Sequence, residues 1–87
     1  MTRLLFTVRN TFAVGGRLVL VPGFVPEGDE RFGVGDRIVL RMPDGSSINS
    51  RIDGLELLDP NPNHEVVILL KDQENVPIGT EVWSCDA

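Results

Sequence analysis

The sequence predicts an all-β domain, because short runs of alternating apolar and polar residues recur along the chain, separated by glycine, proline, aspartate and asparagine. No segment shows the helical period of about 3.6 residues. The chain has 87 residues, enough for one hydrophobic core and too few for two. We therefore expect a single domain over residues 1–87, with the strand spacing of a barrel or a sandwich.

The first half of the chain predicts strands that are separated by glycine turns. Alternation from Leu4 to Val8 indicates the first strand, and Gly15-Gly16 permits a bend or bulge before the apolar run at residues 18–21. Pro22-Gly23 interrupts that run, and proline cannot donate to a strand ladder. We expect this strand to bend there or to lie near an edge.

A hairpin is predicted in the middle of the chain. Ile38 and Leu40 share one face of a strand over residues 37–42, and Pro43-Asp-Gly45 is a strong turn signal. The strand that returns from this turn should pair with residues 37–42.

The returning strand changes parity. Ile48 and Ile52 occupy one parity, Leu55 and Leu57 occupy the other, and Gly54 lies between the two pairs. A bulge absorbs such a slip, so we predict one at Asp53–Gly54. Further on, residues 66–70 are apolar without alternation, as in a strand covered on both sides, and a last strand ends near residue 83.

An ordered set of glycines and strand residues spans nearly the whole chain. It consists of Phe12-x-Val14-x-Gly16-Arg17, Gly23-x-Val25-x-x-Gly28, Val34-Gly35-Asp36, Leu69-Leu70, and Gly79 with Val82. This set resembles the second domain of translational GTPases, the small barrel of elongation factor Tu, initiation factor two and their relatives. The resemblance implies a small closed antiparallel β-barrel of about six to eight strands.

Nucleotide chemistry is not predicted. The phosphate-binding pattern Gly-x-x-x-x-Gly-Lys-Ser/Thr, which the GTPases of this family use, occurs nowhere in the sequence. We expect neither GTP hydrolysis nor a bound cofactor.

Two features bear on RNA binding. In elongation factor Tu the corresponding barrel helps to hold the acceptor end of aminoacyl-tRNA through a glutamate between apolar residues, and Leu55-Glu56-Leu57 resembles that stretch. Arg37, Arg41 and Arg51 fall on the predicted hairpin and would assemble one basic face. The net charge of -5 disfavours a polyanionic partner, and we expect the nearby Asp36, Asp44 and Asp53 to neutralise the arginines.

Both parities are apolar in the run that leads to Phe24. If Val19, Val21 and Val25 point inward, then Leu18, Leu20 and Phe24 form an exposed patch for a protein partner or a second copy of the chain. A loop that covers these three residues is the alternative. Trp83 poses a similar choice between an interface anchor and a plug at the barrel mouth, and we favour the plug.

No catalytic or metal site is predicted. His64 is the single histidine, and its pairing with Ser84 or Cys85 has no supporting cluster. Asp29 and Glu30 lack the spaced ligands of a calcium loop. The lone cysteine favours a reducing compartment, and no run is long enough for a membrane span, so we expect a cytoplasmic protein.

These observations predict a binding protein and not an enzyme. The first hypothesis is a stand-alone translation-factor-like barrel that binds protein, as a homodimer or as an accessory or inhibitory partner of a larger protein. The alternative is an RNA-binding module that retains part of an acceptor-end pocket. An orphan domain without a separate activity is a third possibility.

Overall fold

Two antiparallel sheets of four strands each form the computed structural model of this chain, which describes residues 2–57, 64–71 and 76–85. The strands are β1 Leu4–Thr7, β2 Asn10–Val14, β3 Arg17–Phe24, β4 Arg37–Arg41, β5 Ser47–Arg51, β6 Gly54–Leu57, β7 Val66–Lys71 and β8 Glu81–Ser84. The first sheet has the order β1-β8-β4-β5 and the second has the order β2-β3-β7-β6. The predicted all-β class is confirmed. Within these ranges no helix is long and apolar enough to cross a membrane.

Two short segments carry the chain from the first sheet to the second. Val8 and Arg9 connect β1 to β2, whereas Ile52 and Asp53 connect β5 to β6. Such corners allow one strand to belong to both sheets. The parity change predicted as a bulge at Asp53–Gly54 is in fact this second corner, and β6 pairs with β7 without a register shift.

Backbone hydrogen bonds tie each corner to both sheets. At the first corner Val8 N donates to Thr80 O (2.8 Å) and the next amide, Arg9 N, donates to Val21 O (2.9 Å). At the second corner Ile52 N donates to Asp36 O (2.9 Å) and Asp53 N donates to Leu69 O (2.9 Å). At each corner, one amide therefore bonds to the residue that directly precedes a strand of the first sheet, and the next amide bonds to a strand of the second sheet.

The predicted hairpin joins β4 to β5. Met42 N donates to Ser46 O (2.7 Å) and Gly45 N donates to Met42 O (2.9 Å), which closes the turn at Pro43-Asp-Gly45. Gly45 takes a φ of 93°, a left-handed conformation that favours glycine.

The core lies between the two sheets. It consists of Leu5, Phe6, Val8, Leu20, Phe24, Ile38, Leu40, Ile52, Ile68, Leu70, Val76 and Val82. Phe24 links three aromatic rings, because it stacks with Phe6 at a centroid distance of 6.3 Å and meets Phe32 edge-on at 4.9 Å. These contacts orient the end of β3 toward the interior.

The predicted exposed patch at Leu18, Leu20 and Phe24 is wrong, because these side chains face the core. Leu20 and Phe24 are 0% and 4% exposed, and Leu18 packs against the core cluster. Their orientation follows from the pairing with β7, where Leu18 lies opposite Leu70 and Leu20 lies opposite Ile68. The other parity of β3, expected to point inward, lies on the outer face.

The bend predicted at Pro22-Gly23 coincides with a register shift between Leu20 and Phe24 in the ladder with β7. Gly23 adopts a φ of 94°, and a Cβ atom built on it would lie 2.5 Å from the carbonyl oxygen of Val66. Only glycine permits this approach of the two backbones.

Leu20→Ala should lower the free energy of unfolding by about 2–5 kcal/mol, because it opens a cavity in the core. Val19→Ala, on the half-buried outer face of the same strand, should cost about 1 kcal/mol or less. Urea denaturation of both variants measures the difference. Equal losses would contradict the orientation of β3.

Gly23→Ala should destabilise the protein by about 1–3 kcal/mol, since the added methyl group meets the Val66 backbone and the left-handed conformation is strained. The matched control is Gly33→Ala, which adds its methyl group in open space. Thermal or urea unfolding of the two variants provides the comparison. A Gly23→Ala protein as stable as the control would show that the backbones at this bend can separate freely.

Candidate binding surfaces

An open strand edge is the most prominent unpartnered feature of the second sheet. β2 is the first strand in the sheet order and pairs with β3 alone among the described strands. Its sequence Asn-Thr-Phe-Ala-Val carries no charge, and Phe12 and Val14 are 51% and 59% exposed. Apolar residues on an uncovered edge favour pairing with another chain.

The turn between β2 and β3 determines which backbone groups point outward. Gly15 and Gly16 have φ angles of 57° and 78°, and Val14 lies opposite Arg17. A tight turn of this kind makes the flanking residues a hydrogen-bonded pair, and such pairs alternate along an antiparallel ladder. The backbone groups of Thr11 and Ala13 therefore face the open edge, where Asn10 Oδ1 accepts from Thr11 N (2.9 Å).

The other three sheet edges differ from β2. β1 packs along β3, as expected of a strand that approaches the second sheet at a corner. β5 carries Arg51 and β6 carries Glu56, and charges on an edge discourage pairing. Among the described residues, β2 thus lacks both a covering strand and a charged side chain. The sequence signal for this edge is an uncharged strand beside a double-glycine turn, and the edge was not among the predicted binding sites.

An apolar row crosses the outer face of the second sheet from this edge. Phe12 lies opposite Val19, which lies opposite Leu69 on β7. Leu69 is 4% exposed although it is not part of the core cluster. The row ends at Gly54, where a Cβ atom would lie 2.9 Å from the Arg17 guanidinium, and Arg17 Nε lies 3.1 Å from Asp53 Oδ2.

The three predicted arginines share the outer face of the first sheet. Ile38 and Leu40 are buried, so alternation directs Arg37 and Arg41 outward on β4. Arg51 on β5 lies directly opposite Arg37. The structure therefore brings the three arginines to one face, as the hairpin predicted.

The three aspartates expected to neutralise these arginines make other contacts. Asp53 pairs with Arg17, and Asp36 Oδ2 accepts from Gly33 N (2.8 Å). Asp44 Oδ1 accepts from Ser46 Oγ (2.6 Å) and Ser46 N (2.9 Å), and these bonds lower its pKa. None of the three aspartates forms an ion pair with Arg37, Arg41 or Arg51 among the described residues, although Asp36 lines the same cavity as Arg37 and Arg51. Neutralisation of the arginine face by these aspartates stays a prediction.

Trp83 lies on the same outer face and does not plug a barrel mouth. It is half-buried, lies opposite Leu4 and Val39, and its Nε1 donates to Glu81 Oε1 (3.1 Å). The plug prediction is wrong because the neighbouring residues Val82 and Ser84 occupy the buried positions of β8.

Glu56, predicted to accompany the arginines, lies elsewhere. It is exposed on β6 and paired with Val67 in the second sheet. The predicted nucleic-acid residues are thus divided between two sheets.

The residues considered for catalysis or metal binding form no cluster in the described ranges. Ser84 Oγ accepts a hydrogen bond from Arg3 N (2.9 Å), and His64 is exposed with a φ of 55°. Among residues 2–57, 64–71 and 76–85, no group of three or more histidine, cysteine, aspartate or glutamate side chains is placed to hold a metal ion.

Arg3 forms an ion pair with Glu30 in the loop that follows β3. Its Nε and Nη2 donate to the two carboxylate oxygens of Glu30 at 2.8 and 2.7 Å, and Glu27 N donates to Glu30 Oε1 (2.8 Å). The hydrogen bonds from Arg3, together with that from the Glu27 backbone, lower the pKa of Glu30 to about 2. This ion pair connects the segment before β1 to the loop that borders the arginine face.

Glu30→Gln should lower the melting temperature at neutral pH. Folded Glu30 has a pKa of about 2, against an ordinary value of 4.5, so its stabilising contribution is complete above pH 4.5 and is lost as the pH falls toward 2. The difference between wild type and variant should shrink over that range. Glu27→Gln is the control, because its 3.7 Å contact with Arg3 is exposed and weak. A difference for Glu30→Gln that persists unchanged at pH 2 would contradict this role.

Comparison with known proteins assigns this chain to no family. No family model matches it, and no curated protein or solved structure matches it either. The resemblance to translational GTPase barrels therefore stays a prediction from the pattern of glycines and strand residues.

Proposed function

We propose that this chain is a non-enzymatic protein-binding module, a stand-alone closed β-barrel of the translation-factor type, which recruits a second copy of itself along the open edge of β2. Support for the closed barrel comes from the two corners. One circuit runs from the β1–β2 segment through β3, β7, the β6–β5 segment, β4 and β8, and returns to β1. The glycine pattern that resembles the second domain of elongation factor Tu supports the same architecture.

The observation that carries the binding proposal is the uncharged, exposed edge of β2. A strand presented by a partner adds to such an edge through main-chain hydrogen bonds, and apolar side chains on the same face provide specificity. Phe12 and Val14 are more than half exposed, and Phe12 begins the apolar row that continues to Leu69. A partner strand would extend this row beyond the present edge.

A second copy of the chain fits this edge by symmetry. Phe12 is the central residue of β2, with the outward-facing Thr11 and Ala13 on either side. In an antiparallel pair centred on Phe12, the Thr11 amide of one copy exchanges its bond to Asn10 Oδ1 for one to Ala13 O of the other copy, and Ala13 N of that copy donates to Thr11 O. The two Phe12 rings then meet at the two-fold axis. The neutral strand avoids like-charge contacts although each chain has a net charge of -5.

An RNA-binding module is the second candidate function. The observation that favours it is the shared face of Arg37, Arg41 and Arg51 with a half-buried Trp83, since arginines beside an aromatic ring bind and stack single-stranded RNA. The acidic net charge and the position of Glu56 on the other sheet weigh against it. We therefore rank it below protein binding.

Light scattering over a concentration series tests the homodimer. The wild type should approach twice the 9.6 kDa mass of the chain. Phe12→Asp should weaken the dimer about 100-fold or more, because two carboxylates would face each other across the two-fold axis and such contacts cost several kcal/mol. Ala13→Pro should also weaken it, since proline removes an outward-facing donor.

The matched control is Val34→Asp, which places the same charge at a residue 72% exposed outside β2. This variant should remain a dimer, and circular dichroism should show that all variants are folded. A monomeric wild type would contradict the proposed dimer. A Phe12→Asp protein that dimerises as tightly as the control would contradict it as well.

A further inference from the structure

Two arginines face each other where a like-charge pair is unfavourable. Arg37 and Arg51 are direct cross-strand partners on β4 and β5. Their side chains start about 5 Å apart on the same face, and like charges in this arrangement repel. Something must offset that repulsion or the pair destabilises the sheet.

The contacts of the two arginines do not provide the missing negative charge. Arg51 Nη1 donates to Gly35 O (2.9 Å), a neutral acceptor. In the part of the chain that the structure describes, the Arg37 side chain makes no hydrogen bond or ion pair. Of the carboxylates that line the surrounding space, Glu30 pairs with Arg3 and Asp53 pairs with Arg17. The third, Asp36, accepts from the backbone amide of Gly33 and forms no ion pair among the described residues.

An open cleft surrounds this pair. Two adjoining cavities of about 660 and 780 Å³ share Arg37, Arg51 and Gly35 in their walls. Arg31 lines the first cavity, and Lys71 and Asn49 line the second. The walls of this space carry four cationic side chains and three carboxylates, Glu30, Asp36 and Asp53. Glu30 and Asp53 are paired with arginines outside the cleft, so the cationic side chains are in excess around a space large enough for a small ligand.

We propose that this cleft binds a compact multivalent phosphate, with Arg37 and Arg51 gripping the phosphate oxygens from both sides and Lys71 at the rim. The planar guanidinium group offers paired N–H donors that match phosphate geometry, and a multivalent anion converts the repulsion between the two arginines into joint attraction. A compact anion keeps its charge inside the cleft. An extended polyanion would also meet the rest of a surface whose net charge is -5.

This site is independent of the proposed dimer. The cleft is built mainly on the first sheet and its flanking turn, with Lys71 of β7 at the rim, whereas no residue of β2 lines either cavity. Loss of dimerisation and loss of anion binding are therefore separable outcomes.

Inorganic pyrophosphate is the probe, measured by titration calorimetry and by the melting temperature at matched ionic strength. Pyrophosphate should bind the wild type with one site per chain and raise its melting temperature. Arg37→Gln should weaken binding at least about tenfold. Without ligand at low ionic strength, Arg37→Gln should melt no lower than the wild type, because the variant relieves the repulsion.

The matched control is Arg41→Gln, on the same strand and face but beside Glu81 and outside the cleft. It should bind pyrophosphate within about twofold of the wild type. Sodium chloride that reproduces the full thermal shift, or Arg37→Gln that binds as tightly as the wild type, would overturn the proposal. Tighter binding of an oligouridylate than of pyrophosphate would also overturn it, because the site would then serve the phosphates of an RNA strand.

Discussion

The structure depends on two corners at which one backbone amide bonds to the entry of a strand in the first sheet and the next amide bonds to a strand in the second sheet. Val8 bonds toward β8 while Arg9 bonds toward β3, and Ile52 bonds toward β4 while Asp53 bonds toward β7. A buried backbone group without a partner is costly, so each corner must satisfy both sheets at once. This requirement holds the sheets around one core, with Val8 and Ile52 directed into it.

The corners also explain why β2 remains open. β1 is held between β8 and β3, and the chain then turns into the second sheet, where β3 takes up only one side of β2. After the tight double-glycine turn, β3 runs antiparallel to β2 and pairs with one side of it. The other edge of β2 has no strand paired with it among the described residues. The passage of the chain between the sheets at the corners and the unpaired edge of β2 among the described residues are therefore consequences of the same chain path.

The elements that the sequence predicted well are those determined locally. The hairpin at Pro43-Asp-Gly45 and the bend at Pro22-Gly23 follow from proline, which fixes φ, and from glycine, which adopts a positive φ. These preferences act locally and do not depend on tertiary contacts. The orientation of β3 could not be predicted, because both of its parities are apolar and only the pairing with Leu70 and Ile68 distinguishes them. Trp83 failed for the same reason, since alternation alone does not say which face of a strand is inside. The arginine face succeeded because a hairpin of known register determines which residues share a side.

The two candidate binding surfaces differ in charge, because β2 is uncharged and the cleft on the first sheet contains a pair of arginines. β2 is neutral in an acidic chain, which permits two copies to approach without repulsion at the contact itself. Arg37 and Arg51, in contrast, place two positive charges side by side, while two carboxylates of the same cleft, Glu30 and Asp53, bind other arginines. A fold maintained only for stability has no reason to keep a like-charge pair in register, because one neutral substitution would relieve it. The same argument applies to an apolar edge that one lysine would protect. Both features oppose stability or solubility in the isolated chain, and binding is the physical circumstance in which each becomes favourable.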